Sequence, residues 1–427
     1  MKRRAFLRGM LGMGIAGGGL LLRGPLSLST AHALQPGATP TLVVLFQRGG
    51  CDGLNAVVPF GDPDYYGLRP TIGIAEPDPG DPEAALPLDD PLGRYPDFFG
   101  LHPALAPLHS IYGAGDLAVL PAVQYPASSH SHFDSQNFIE SGAPLKGLDG
   151  WLNRHLASLP DRAPLQAVHF GSSLSQALRG AIPVQSFSSI DAFNLGLPGD
   201  EEQALGDTVL PVYQATPSPA TAYEQLVHQY GQTLFDNLGV VRNIDTAGYR
   251  PANGAAYPSG SYGRRLRETA QLIKEGVGLR AVTIDIGGWD THSDQGGGHA
   301  DGRQARRFRE FSTGIEALYT DLGDQMENVV ILTMTEFGRT AKENGSRGTD
   351  HGDAASWFVI HRGLQGGIYG DWPGLADDQL TRGRYLRFTV DYRDIFGELL
   401  TAHMGNSHEE LATLLPGHDY RPLGLFA

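Results

Sequence analysis

Residues 279–338 run from an apolar segment, "LRAVTIDIGG", through a glycine-rich loop and an amphipathic stretch to a second apolar segment, "NVVILTMTEFG". In the stretch between them Phe308, Phe311, Ile315, Leu318 and Leu322 recur at spacings of 3, 4, 3 and 4. Arg306, Arg309, Glu316 and Asp321 fall on the other face, which predicts a helix with one apolar stripe. Strand, loop, helix, strand is a βαβ unit, and its connection requires a parallel sheet with a right-handed crossover. "TLVVLFQRGG" (41–50), "DLAVLPAV" (116–123) and "LQAVHFG" (165–171) have the same short, continuous apolar form, the mark of strands buried on both faces. The expected fold class is therefore α/β, a doubly wound and mostly parallel sheet.

Further strands are expected at "SWFVIHRG" (356–363) and "YLRFTVD" (385–391), the latter followed by a helix through "YRDIFGELLTAHM". Residues 61–100, rich in Pro, Gly and Asp, read as a long loop. Residues 172–262 mix polar loops with one clear helix, "TAYEQLVHQYGQTLFDNLG", and read as an insertion over one sheet edge, a cap. There is no internal repeat. A single domain over residues 40–427 with that insertion accounts for the pattern. The 57 glycines point to long, tightly turned loops, where sites are built.

The first 33 residues read as a targeting segment. Arg3 and Arg4 precede an apolar, glycine-rich stretch from Gly9 to Leu22, and "STAHA" ends in an Ala31-His32-Ala33 cleavage pattern. This is the layout of a twin-arginine secretory signal. The apolar stretch falls short of the ~20 residues a membrane span needs, so no stable span is expected after cleavage. The expected partner is the twin-arginine export machinery, and the expected location periplasmic or secreted. Cleavage removes five basic residues and no acid, taking the formal charge from −15 to −20. Such an acidic chain without a basic run excludes nucleic acid as a partner. Cys51 is the only cysteine, which rules out an intrachain disulfide and a thiolate zinc site.

In open α/β sheets ligands bind at the carboxyl ends of the strands, so the residues following each strand are the candidates. After the first comes "RGGCDGLN", with Asp52. After the second comes "ASSHSHFDSQNFIESG", with Ser128, Ser129, His130, Ser131, His132 and Asp134. "WDTHSDQGGGHAD" supplies Asp290 and His292, and "TEFGRTAKENGSRGTDHGD" supplies Glu336, Arg339, Asp350 and His351. Asp294, His299 and Asp301 fit the start of the following helix better than a site. Carboxylates and imidazoles without thiolate suit one or two divalent ions, zinc, manganese, iron or magnesium. Close acids would otherwise raise one another's pKa. A helix starting near Ser131 or His132 leaves the serines two roles. One is an ordinary cap. The other is a nucleophile favoured by helix amides.

The quoted segments "LVVLFQRGGCDGLN", "SHSHFDSQNFIESG", "IDIGGWDTHSDQ" and "GTDHGDAASWFVIHRGLQGGIYGDWPGL", with the twin-arginine start, resemble an uncharacterised bacterial family, domain of unknown function fifteen-oh-one. That family is similar to the alkaline phosphatase and sulfatase superfamily, and the resemblance spans residues 40–405. It implies an alkaline phosphatase-like fold and a metal-dependent hydrolase of phosphate, sulfate or related esters, acting on an anionic small molecule or polymer. It further implies Asp52, Asp290, His292 and His351 as metal ligands, Ser131 as nucleophile and Arg339 as a grip on the anion. Where the superfamily has an Asp-His pair, this chain has "TEFGR". Either Glu336 takes the place of that Asp, or Asp350 and His351 loop back to fill it. The departure leaves room for an alternative, a catalytically impaired binding or accessory protein.

Overall fold

The computed structural model describes residues 39–426, except 127, 145, 146, 148, 198 and 216–220. The targeting segment read over residues 1–33 lies outside the described residues. Strands of the main sheet are β1 (Thr41–Arg48), β2 (Leu117–Gln124), β3 (Ala167–Phe170), β4 (Gln185–Phe187), β5 (Ala281–Gly287), β6 (Val329–Met334), β7 (Ala355–Ile360), β8 (Gly367–Ile368) and β9 (Val390–Asp391). They lie in the order β8-β2-β7-β6-β1-β5-β3-β4, with β9 also paired to β2. All pairings are parallel except those of β7, which runs antiparallel to both β2 and β6. The fold is α/β with a mostly parallel sheet, as the βαβ pattern predicts.

β1 sits at the centre, Leu42 opposite Ala281 on one side and Val330 on the other. Val43 and Leu45 enter the core on one face, and Leu42, Val44 and Phe46 the core on the other. Burial of both faces is why the run is continuously apolar rather than alternating. The helix Arg303–Leu322 covers the first face with Phe308, Phe311, Ile315 and Leu318. The second face is covered by Trp151–Ser158 and Tyr392–Glu398, whose Trp151 and Phe396 rings stack at 3.9 Å and 14°.

Three expectations change in detail. Asp321, read onto the polar face of its helix, is buried. Its carboxylate takes the Lys274 ammonium, the hydroxyls of Tyr249 (2.8 Å) and Tyr257 (2.7 Å) and the Ala252 amide (2.7 Å). A buried charge with that many donors is satisfied where it stands. The strand expected over 385–391 is reduced to Val390–Asp391. The region read as an insertion supplies the sheet's edge strand, β4, before its helices Gly199–Gln214 and Ala222–Val241. Among the described residues no helix is long and apolar enough to cross a membrane.

Because β1, β5 and β6 are adjacent and parallel, their carboxyl ends share one rim. β2 ends at the same rim, since β7 runs antiparallel to both it and β6. The segment entering β7 arrives there too.

Candidate metal centre

Four loops meet at this rim. After β5, Trp289 is buried and packs on Phe308 and Phe311, with its indole N–H donated to the Ile286 carbonyl at 2.9 Å. That anchor turns the next residue, Asp290, outward. Gly49, after β1, has φ +125°, and a Cβ on it would stand 2.7 Å from the Asp290 amide nitrogen. Only glycine lets the two loops approach this closely. Residues 338–340 and 350–353 form a narrow hairpin through the bonds of Gly338 with Asp353, Thr340 with Asp350 and Gly352 with Gly338. The hairpin brings His351 over Asp290. The last contributor is the helix His132–Ser141. Arg48 holds the carboxyl end of that helix to β1 through a forked pair with Glu140 at 2.8 and 3.0 Å, and its amino end carries His132.

The inward atoms converge on Asp290. Ligand atoms of His132, Asp290 and His351 all lie within 4.8 Å of one another. Asp290 Oδ1 is 3.0 Å from His292 Nε2 and 3.2 Å from His351 Nε2, and those two nitrogens are 3.2 Å apart. His132 Nε2 is 3.7 Å from Asp290 Oδ2.

Behind each inward group stands a partner that orients it. His132 Nδ1 meets Glu336 Oε1 at 2.7 Å, and His292 Nδ1 meets Asp350 Oδ1 at 3.2 Å. His351 Nδ1 meets the His130 carbonyl at 2.8 Å, and Asp290 Oδ1 takes the Arg339 guanidinium at 2.6 Å. Carboxylates and carbonyls only accept, so each Nδ1 carries its proton and each Nε2 faces inward. Burial and the nearby Arg339 charge hold His351 below the usual histidine range, outweighing its bond to the carbonyl. Burial alone would raise Asp290; the Arg339 hydrogen bond and charge outweigh it and hold the carboxyl low. For His132 the hydrogen bond to Glu336 raises the pKa over the opposing effect of burial.

The Nε2 atoms of His132, His292 and His351 and the Asp290 carboxylate face one another at this rim. That arrangement calls for a cation between them, a proton or a metal. Bonds of about 2.0–2.1 Å in a tetrahedral site put neighbouring ligand atoms about 3.3 Å apart, close to the 3.0 and 3.2 Å edges here. The donor set fits a divalent ion.

The other residues expected at the site take different places. Asp52 is sealed below the rim in an ion pair with Arg69 at 2.6 Å, both side chains wholly buried. Glu336 is also fully buried, and its carboxylate accepts from His132, the Gly49 amide, Gln136 and Thr335. Asp350 is shared by His292, Asn344 and Arg384. Glu336 and Asp350 thus face the outer nitrogens of His132 and His292. Arg339 faces the carbonyls of Gly49, Gly50, Trp289 and Thr349 as well as Asp290, and is 1% exposed. It has no open side with which to grip a substrate. Ser131 is the N-cap residue of the helix, but its hydroxyl makes no capping bond. His132 is the group sequence reasoning left unassigned. Its signal was present in "HSHFDSQ", where it opens the helix just after the capping serine.

Residues 222–423 match the family model described as "Protein of unknown function (DUF1501)". No curated protein sequence matches the chain. Among solved structures it is similar to a sulfatase from Pseudoalteromonas sp., at 12% identity over 90% of this chain and 74% of that one, TM-score 0.36. It is similar also to the phosphonate monoester hydrolase of Agrobacterium radiobacter, at 11% identity over 90% and 79%, TM-score 0.32. A third is the alkaline phosphatase from the Antarctic bacterium TAB5, at 12% identity over 87% and 99%, TM-score 0.28.

Proposed function

We propose that His132, Asp290, His292 and His351 form a single divalent-cation centre in an exported hydrolase of phosphate, sulfate or related esters. The observation carrying this reading is the layering: every inward group has its own orienting partner, which is how metal ligands are held. Three imidazoles with one carboxylate favour zinc or iron over magnesium. Bound there, such an ion supplies Lewis acidity toward an ester oxygen. The chain's own residues supply the rest. Ser131 stands between His130, whose carbonyl orients His351, and the ligand His132. Its hydroxyl, without a capping bond, gives up its proton to solvent as it attacks the phosphorus or sulfur and displaces the ester's alcohol, and water then hydrolyses the seryl ester to free phosphate or sulfate. The amino end of the helix favours the negative charge of the transferred group. Glu336 and Asp350 keep the imidazoles aimed while this happens. The ester class follows from the motif resemblance, and export from the twin-arginine pattern of residues 1–33.

A second reading, a catalytically impaired binding or accessory protein of the periplasm, is favoured by the placement of Arg339 and Asp52. Neither is available at the rim, so an anion clamp and a second metal position built on them are missing.

Elemental analysis of the natively exported protein beside an Asp290→Ala, His292→Ala double variant tests both readings, together with hydrolysis of nitrophenyl phosphate and sulfate. The expected result is one equivalent of transition metal, with metal and turnover both lost in the variant. Metal without turnover on any ester supports the accessory role. Two folded proteins without metal would remove the centre altogether. Glu336→Gln is expected to weaken metal affinity about 10–100-fold, read by chelator competition. Unchanged affinity would mean that His132 is aimed by something else.

A further inference from the structure

A cavity of about 420 Å³ lies beside the rim between Tyr125, Ser128 and His130 on one side and the segment 381–388 on the other. Its volume lies in the range that encloses a small organic ligand. Its wall is shared with the metal centre. His130, which lines the cavity, orients His351 through its carbonyl, and Arg384, within the other segment, is paired at 2.8 Å with Asp350 behind His292.

The cavity is basic and aromatic. Of the arginines in "TRGRYLRF", Arg382 and Arg387 line it and both are exposed. Arg387 donates once to the Asp378 carbonyl, at 2.6 Å. Arg382 has no hydrogen bond or ion pair among the described residues. The one acid in the lining, Asp353, accepts from Ser128 at 3.0 Å and His130 at 2.7 Å, so it does not neutralise either arginine. The Tyr385 ring lies 4.6 Å from that of His130, and Phe388 is 36% exposed. Arg382 has φ +58° and Gly383 φ +61°, a tight turn that asparagine or glycine adopts without strain. What an arginine adds at such a position is its side chain.

We propose that this cavity is the recognition subsite for the organic part of the substrate. It takes a ring-shaped body that carries a second anionic group, with Arg382 and Arg387 as the specificity-determining residues. The ring lies against Tyr385 and Phe388, while the guanidinium groups take the anion. Its role in turnover rests on the hydrolase reading, but its affinity for such an anion does not.

Calorimetric titration of the full chain with naphthalene disulfonate, beside inorganic sulfate and neutral naphthol, separates the two. The disulfonate is expected to bind in a salt-dependent way, and to lose about tenfold in affinity with either Arg382→Gly or Arg387→Gln, one charge-assisted contact each. Arg382→Gly relieves the turn, so its melting temperature is expected to hold or rise, which separates lost recognition from lost folding. Binding is expected to survive His292→Ala, His351→Ala. Equal binding by sulfate, unchanged affinity in both arginine variants, or loss of binding only in the histidine variant would overturn the subsite. Disulfonate binding with no ester turnover would retire the hydrolase reading and leave the subsite standing.

Discussion

Asp52→Ala is expected to destabilise the protein by about 3–5 kcal/mol, because it strands a buried guanidinium. Arg69 reaches Asp52 and Asn55 at 2.6 Å each and the carbonyls of Ala341 and Thr340 at 3.0 Å. Gln295 donates to the same Asp52 oxygen at 2.6 Å. The pair therefore ties the first βα turn to the loop after β6 and to the loop carrying Asp290. Its own net worth is small, since two charges had to leave water to form it. The double variant Asp52→Leu, Arg69→Met is accordingly expected to recover most of the stability lost by either single change. Urea unfolding of the three variants measures this, and elemental analysis of folded Asp52→Asn is expected to find wild-type metal content. Metal lost at unchanged stability would return Asp52 to the ligand set that the family resemblance implied.

Asp52 also shows why part of the site could be read from the sequence and part could not. A strand buried on both faces announces itself, as β1 does through an unbroken apolar run. So does the helix Arg303–Leu322, through its 3.6-residue period. Parallel strands then bring their carboxyl ends to one rim, which is why Asp290, His292 and His351 could be named from their positions. The division of labour at that rim has no such signature. Inward-facing groups and the groups that orient them are drawn from the same residue types, and the pairings are distant in sequence: Glu336 aims His132 from 204 positions away. Nothing local distinguishes a carboxylate facing a metal from one facing the back of an imidazole. Short strands such as β8 are equally silent, because two residues give no period.

Arg339 is where the two descriptions differ most, and its substitution is the second large effect expected. A residue gripping the substrate could be removed with little change in stability and a rise in KM. The structure assigns a different job. One guanidinium serves carbonyls from three loops, those of Gly49 and Gly50 after β1, Trp289 after β5 and Thr349 in the hairpin, and also holds Asp290. Arg339→Ala leaves those acceptors buried without a donor, at about 1–3 kcal/mol for each that water cannot reach. It also frees Asp290 to move and to take up a proton. The expected outcome is a loss of at least about 3 kcal/mol in denaturant, with metal affinity falling about 10–100-fold in whatever remains folded. Lysine would not rescue it, since a single ammonium cannot fork across carbonyls set in different directions. Wild-type stability and metal content in Arg339→Lys, with only KM raised, would restore the anion grip and show that the four carbonyls are satisfied in another way.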